Sequence, residues 1–280
     1  MSEEGAGPTG SSAADAPAAE LREVAVRAAR AAGELLRERF ALGEQQQVSS
    51  KSTPTDLVSE ADLAAERTIR ELLAQLRPDD GFLGEESGGG AGVSGLRWVV
   101  DPLDGTVNFL FGIPQWCVSV AVQDEHGSLA GAIYDPCREE LFAAVRGSAP
   151  SLSDSRGTRT FSSPLREDLA TAMVATGLAY DARVRAAQAT VLAGVIPRVR
   201  DIRRFGSAAL DLAWTAVGRF DAYFERTVKP WDIAAGTLVC EGAGLQVVEL
   251  PAREDLPWGI LVAPPALADK LGPLLKDPSP

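Results

Sequence analysis

The chain has 280 residues but only one histidine and three cysteines. These scarcities exclude whole chemistries. His126 stands in Asp124-Glu125-His126-Gly127, a turn signature. Nothing nearby completes a ligand set, so a zinc site, a histidine general base and phosphohistidine chemistry are set aside. Cys117, Cys137 and Cys240 form an odd set without a CxxC pair. Cys117 and Cys240 lie in apolar runs and read as buried thiols, a usage that fits a reduced, cytoplasmic protein. Basic blocks are also missing. Lys and Arg number 27 against 39 Asp and Glu, a net charge of −12 with a pI near 4.7. Nucleic-acid binding needs a positive footprint, so no nucleic-acid partner is expected. No apolar run approaches the ~20 residues that span a bilayer, and no membrane association is expected. Residues 1–19 have neither a basic n-region nor an apolar h-region and read as a disordered tail rather than a signal peptide. There is no internal repeat.

What is present is an ordinary globular composition, 45% hydrophobic and 24% charged. It is long enough for one large domain or two tightly packed subdomains. Helical spacing of Leu21, Val24, Ala28, Ala31, Leu35 and Leu36 predicts a helix over 20–40. Ala61, Ala64, Ala65, Ile69, Leu72, Leu73 and Leu76 predict another over 60–76, with Ser59 as a candidate N-cap and Asp62 in its first turn. Between them, 43–54 reads as polar connection. Residues 81–87 read as a short strand running into a loop, and 88–95 as a flexible glycine-rich link. A β pattern over 116–123, 129–135 and 140–146, joined by short Gly/Pro/Asp turns, predicts an antiparallel meander. The stretch 147–165 is weakly patterned. Thereafter strands at 170–176, 201–204, 221–225, 245–249 and 260–263 alternate with helices at 181–199, 207–217, 231–241 and 265–275. Layered sheets and helices follow, with a mixed second half.

The segment Trp98-Val-Val-Asp101-Pro-Leu-Asp104-Gly-Thr106-Val-Asn108 sets two carboxylates at a strand-turn. By itself DPxDG is an ordinary turn, and Asp there can simply cap a helix. Asp62, Glu85 and Asp232 extend the pattern: each is an acid at the end of an element, beside buried apolar residues. Carboxylates held together in that way repel unless cations neutralise them, and hard divalent cations take oxygen ligands. Gly105-Thr106 and Gly206-Ser207-Ala208 are glycine-led helix starts able to approach a phosphate. Together these features point to metal-assisted phosphoryl chemistry.

With Gly84-Glu85-Glu86-Ser87 upstream and Trp231-Asp232-Ile-Ala-Ala-Gly236 downstream, the chain resembles the inositol monophosphatase family of Mg²⁺-dependent, lithium-sensitive phosphatases over about residues 20–270. The resemblance implies an α/β (α+β) fold, a layered αβαβα sandwich with an antiparallel N-terminal sheet and a mixed C-terminal sheet. Subdomains would cover 20–165 and 166–280 and form one functional unit. Two to three Mg²⁺ ions are implied: one on Glu85, Asp101 and the Leu103 carbonyl, a second on Asp101, Asp104 and Asp232, and a weaker third sharing Glu85 through waters. Thr106, networked with Asp62, would join Glu85 in positioning the attacking water, and the Gly105-Thr106 amides would hold phosphate. Asp104, Gly206, Ser207, Ala208, Glu225 and Asp232 would contact substrate, a small phosphate monoester. Glu225 suits a polyol, since a carboxylate accepts hydroxyl protons; the alternative is a surface strand residue paired with Arg226 or Lys229. Lys51 either approaches the phosphate or is a solvated lysine. Arg203 and Asp211 read as structural or interface residues, relatives usually being homodimers. Inositol 1-phosphate is the expected substrate. The same chemistry on histidinol phosphate, fructose 1,6-bisphosphate or a nucleotide 3′-phosphate is the alternative, and a non-catalytic regulatory protein a third reading.

Overall fold

The computed structural model describes residues 18–43, 48–50 and 57–276. Lys51 and most of the expected tail lie outside them, as does the side chain of Ser59; Ala18 and Ala19 already belong to the first helix. That helix, α1 (Ala18–Leu42), buries Leu21, Ala25, Ala28, Ala32 and Leu36, an unbroken stripe at helical spacing. β1 (Val48–Ser50) and β2 (Leu57–Ser59) form an antiparallel ribbon where the sequence reads as mere connection. α2 (Glu60–Leu76) matches its predicted span and buries Ala61, Ala65, Ile69 and Leu73.

The first large sheet contains β3 (Gly81–Gly84), β4 (Gly88–Gly90) and β5 (Arg97–Asp104), followed after α3 (Thr106–Leu110) by β6 (Cys117–Asp124), β7 (Gly127–Asp135), β8 (Glu140–Val145), β9 (Ser151–Asp154) and β10 (Gly157–Thr160). Its order is β10-β9-β8-β7-β6-β5-β3-β4. The meander is as expected. The sheet departs from a purely antiparallel one at a single pair, because β3 runs parallel to β5. The link at 88–95 begins with β4, an exposed edge strand made of three glycines. The weakly patterned 147–165 holds the β9–β10 hairpin. Its turn is closed by the Arg156 amide donating to Asp154 Oδ1 (2.9 Å) and by Gly157 at φ +101°.

The second sheet is built from β11 (Met173–Thr176), then α4 (Ala182–Val195), β12 (Asp201–Arg203), α5 (Ala208–Ala216), β13 (Ala222–Arg226), α6 (Pro230–Gly242), β14 (Gln246–Leu250), β15 (Gly259–Ala263) and α7 (Pro265–Lys276). In the order β12-β11-β13-β15-β14, β11 is parallel to both its neighbours, whereas β13, β15 and β14 are antiparallel.

Three buried clusters stack these parts. Leu21, Leu36 and Ile69 of α1 and α2 pack on one face of the first sheet with Trp98, Val100 and Val120. The opposite face, through Val99, Ala121 and Ile133, meets α5 and α6, which also meet the second sheet at Tyr223 and Val262. Val191 of α4 and Leu267 and Leu271 of α7 cover the outer face of the second sheet. The result is the five-layered α/β/α/β/α arrangement with α5 and α6 in the middle. Gly236 allows α6 to close on α5, since a Cβ there would stand 2.5 Å from Leu212 Cδ1 and 2.8 Å from its Cβ. Among the described residues no helix is long and apolar enough to cross a membrane.

Candidate active site

Asp101 and Asp104 lie three apart on β5, an odd separation that a regular strand would send to opposite faces. The ladder to β6 pairs Asp101 with Ser119 but Asp104 with Cys117, so one extra residue is accommodated between them. That bulge, containing Pro102 with no N–H to offer, turns both carboxylates into one cleft. Gly105 then takes φ +101°, and a Cβ there would come within 2.9 Å of the Gln115 carbonyl, so glycine is required. Asn108 straps this turn to the start of the second half, its Nδ2 donating to the carbonyls of Gln115 and Phe205, both at 2.7 Å.

Each remaining acid arrives by its own route. Glu85 directly follows β3, and its amide donates to Val100 O (3.2 Å), which sets it beside Asp101 on the neighbouring strand. Asp232 occupies the first turn of α6 and accepts the Lys229 amide at 2.6 Å, with Pro230 in a position that needs no N–H donor. Asp62, fully buried in α2, accepts from Thr106 Oγ1 at 2.9 Å; the same hydroxyl has Leu103 O at 3.0 Å.

The cleft has a volume of about 110 Å³. Glu85, Asp101, Leu103, Asp104, Gly105 and Thr106 line it from one side, and Gly206, Ala208, Glu225 and Asp232 from the other. Two predicted site residues stand behind it. Asp62 supports Thr106, and Ser207, 1% exposed, donates to Asp104 Oδ2 at 2.7 Å while capping α5 through the Leu210 amide. The start of α5, read as a helix end able to approach a phosphate, has a partner within the protein. The Ala208 and Ala209 amides donate to Asp104 at 3.2 and 2.6 Å, so a protein carboxylate already takes that positive helix end. Asp211, read as structural or at an interface, is buried, with its Oδ1 lacking a hydrogen-bond partner. His126 is an exposed hairpin-turn residue, as expected.

Four lining residues escaped the sequence reading: Gly177, Leu178, Tyr180 and Arg204. Among the described lining residues Arg204 alone carries positive charge. Its signal was its place inside the segment 203–211, two residues before Gly206. A neighbouring apolar hollow shares Gly177 and Leu178, but its one charged residue, Arg226, is held by the Pro251 and Pro257 carbonyls at 3.1 and 2.7 Å. It is a packing feature.

The electrostatics of the cleft are those of crowded acids. Burial, then Glu85, Asp104 and Asp232, push the Asp101 carboxyl well above the usual carboxylate range. Burial likewise raises Asp232 well above it. Asp104 is raised by burial to about 6 against the pull of Ser207 and the α5 amides. Glu225 reaches about 7, again through burial. Among the described residues no three His, Cys, Asp or Glu side chains are already gathered tightly enough to grip a metal ion. The donor chemistry nonetheless fits a hard cation: buried carboxylates, a carbonyl and mutual repulsion that positive charge would relieve.

The model of the inositol monophosphatase family matches residues 18–276. An inositol-1-monophosphatase of Mycobacterium leprae is 45% identical over 232 residues, covering 80% of this chain and 79% of that protein. A Nus factor SuhB of Pasteurella multocida is 38% identical over 265 residues, covering 92% of this chain and 97% of that one. Among solved structures, Mycobacterium tuberculosis SuhB superposes with a TM-score of 0.80 at 38% identity, over 94% of this chain and 98% of that chain. The extragenic suppressor protein suhB of Bartonella henselae gives 0.84 at 38% identity, over 92% and 99%. By sequence and by fold alike, the chain belongs to the inositol monophosphatase family and is built as a phosphatase of that type.

Proposed function

We propose that the chain is a Mg²⁺-dependent, lithium-sensitive phosphomonoesterase that releases myo-inositol and phosphate from inositol 1-phosphate. The observation that carries this reading is the meeting, in one polar cleft, of Glu85, Asp101, Asp104 and Asp232 with Thr106 and, facing them, Glu225. Glu85, Asp101, the Leu103 carbonyl, Asp104 and Asp232 would hold two to three Mg²⁺ ions. Bound Mg²⁺ supplies a lowered pKa for water and positive charge opposite the phosphoryl oxygens. Thr106 Oγ1, donating its own hydrogen to Asp62, would accept a hydrogen bond from the attacking water and so aim the water's lone pair at phosphorus. Glu85 stands beside it as the carboxylate that takes part in orienting that water. The Gly105-Thr106 turn offers amides to the phosphate, and Ala208 and Glu225 contact the departing alcohol, the carboxylate accepting its hydroxyls. Homodimerisation through 203–211 and a cytoplasmic location belong to the same reading; the unpaired Cys117, Cys137 and Cys240 support a reducing compartment.

Phosphate release from inositol 1-phosphate, histidinol phosphate, fructose 1,6-bisphosphate and a nucleotide 3′-phosphate, with and without Mg²⁺ and Li⁺, tests it. Inositol 1-phosphate should rank first, with turnover dependent on Mg²⁺ and suppressed by Li⁺. A ranking well below histidinol phosphate overturns the substrate assignment. Asp101→Asn should lower kcat by at least about a hundredfold. It should leave the metal-free fold intact, because Asn keeps an acceptor for the Leu103 amide (3.0 Å) and removes a repelled buried charge. An unchanged rate in that variant removes the metal-assisted chemistry altogether.

Relatives named Nus factor SuhB, in Pasteurella multocida and Xylella fastidiosa, favour a second reading in which the chain serves as a regulatory partner. Full biological function retained by the inactive Asp101→Asn variant would establish it.

A further inference from the structure

Resting on the reading that Glu225 meets the substrate's hydroxyls, we propose that Gly177 and Tyr223 are specificity-determining positions that together fix where the Glu225 carboxylate stands. β13 carries Tyr223 and Glu225 two residues apart, so both side chains leave the strand on the same face. The Tyr223 hydroxyl, fully buried, donates to Glu225 Oε2 at 2.8 Å. One oxygen is thereby tied to the core, leaving acceptor capacity on the other for ligand. Gly177 follows β11, whose parallel register pairs Thr176 with Phe224 and so carries Gly177 alongside Glu225. A Cβ on Gly177 would stand 1.9 Å from Glu225 Cδ and Oε1 and 2.0 Å from Oε2. The carboxylate therefore occupies the space that any side chain at 177 would fill.

The obstructed atoms are the far end of a flexible side chain, so a methyl group at 177 displaces the carboxylate and spares the strand. Gly177 is the vacancy and Tyr223 the tether. Among the described residues, the hydrogen bond that the Tyr223 hydroxyl makes goes to Glu225 and not to an acid of β5. The action of Gly177 and Tyr223 is on the choice of alcohol: with both in place, Glu225 presents a fixed acceptor to a hydroxyl-rich leaving group, and a phosphate ester of a hydroxyl-free alcohol gains nothing from it.

The test compares wild type, Gly177→Ala, Tyr223→Phe and Glu225→Ala with inositol 1-phosphate and with p-nitrophenyl phosphate, both in Mg²⁺. The quantity read is the ratio of the two kcat/KM values. Gly177→Ala and Tyr223→Phe should each lower that ratio by roughly tenfold, the size of a lost charged hydrogen bond, through the KM for the inositol ester. A crystal structure of Gly177→Ala should show the Glu225 carboxylate off the Tyr223 hydroxyl with β11 and β13 in place. If both substrates slow equally, the residues are merely structural and the proposal is wrong. A Gly177→Ala structure with the carboxylate undisplaced also overturns it. If Glu225→Ala lowers the ratio while both other variants keep it, this proposal alone fails. If Glu225→Ala keeps the wild-type ratio, the underlying reading of Glu225 fails and takes the proposal with it.

Discussion

One hydroxyl, that of Ser207, sets both the start of α5 and the place of Asp104. Removing it leaves the Leu210 amide without its side-chain acceptor and takes one donor from the buried Asp104 carboxylate, which keeps the Ala208 and Ala209 amides. Ser207→Ala is therefore expected to cost about 1–3 kcal/mol of stability, measured by denaturant unfolding, and to raise the Mg²⁺ concentration needed for half-maximal activity. Stability lost without any change in the Mg²⁺ requirement would mean that the hydroxyl serves the helix alone. At this scale the candidate acids were legible in the sequence because they sit at element ends beside apolar runs. What each acid leans on was not. Asp104 rests on amides from a helix more than a hundred residues later, and local pattern cannot report such a contact. Tyr223 did leave a signal, two residues before Glu225 on an alternating strand. Gly177 left none, since its role depends on strand register in three dimensions.

Among the elements, α2, β6, β7 and β8 were readable to within a residue or two, α2 because its one buried face imposes a helical period and the strands because they are short, largely apolar runs bounded by turn residues. β4 was not, because three glycines carry no side-chain pattern, and the parallel pairing of β3 with β5 is a tertiary choice. The β9–β10 hairpin is marked only by its turn chemistry at Asp154 and Gly157, its second strand being exposed throughout. The middle layer depends on small residues as much as large ones. At Gly236 a methyl group meets Leu212 Cβ at 2.8 Å, an atom that cannot swing aside. Gly236→Ala should accordingly destabilise the protein by about 1–3 kcal/mol in urea unfolding, despite the better helix propensity of alanine. A stabilised variant would show that α5 and α6 can part without cost.

For the whole molecule, part of the pH dependence comes from two acids kept off the cation in the proposed site. Burial holds Glu225 at about 7 and Asp211 well above the carboxylate range. Both therefore keep protons in the folded state that the unfolded chain has already released. The unfolded state binds fewer protons, so stability falls as pH rises from the ordinary carboxylate value near 4.5 through about 7. Above that, Glu225 contributes no further slope. In metal-free protein the raised Asp101, Asp104 and Asp232 titrate in the same sense and add to the decline, so calorimetric Tm should drop by roughly 5 °C or more across this window, and Glu225→Gln should flatten part of it. A Tm that climbs over the same range contradicts the burial of these groups.

The cleft is walled by β5 of the first sheet, by the starts of α5 and α6 from the middle layer, and by Glu225 from the second sheet. Whatever fills it is a clasp. Cations on the β5 acids and a polyol on Glu225 would tie all three inner layers through one small ligand, at a spot where acid repulsion otherwise pushes them apart. The loaded protein should then come apart in a single transition, while the empty one is free to loosen along the seam between its sheets. Hydrogen exchange at β13 and the first turn of α5 would register occupancy before any change in overall shape.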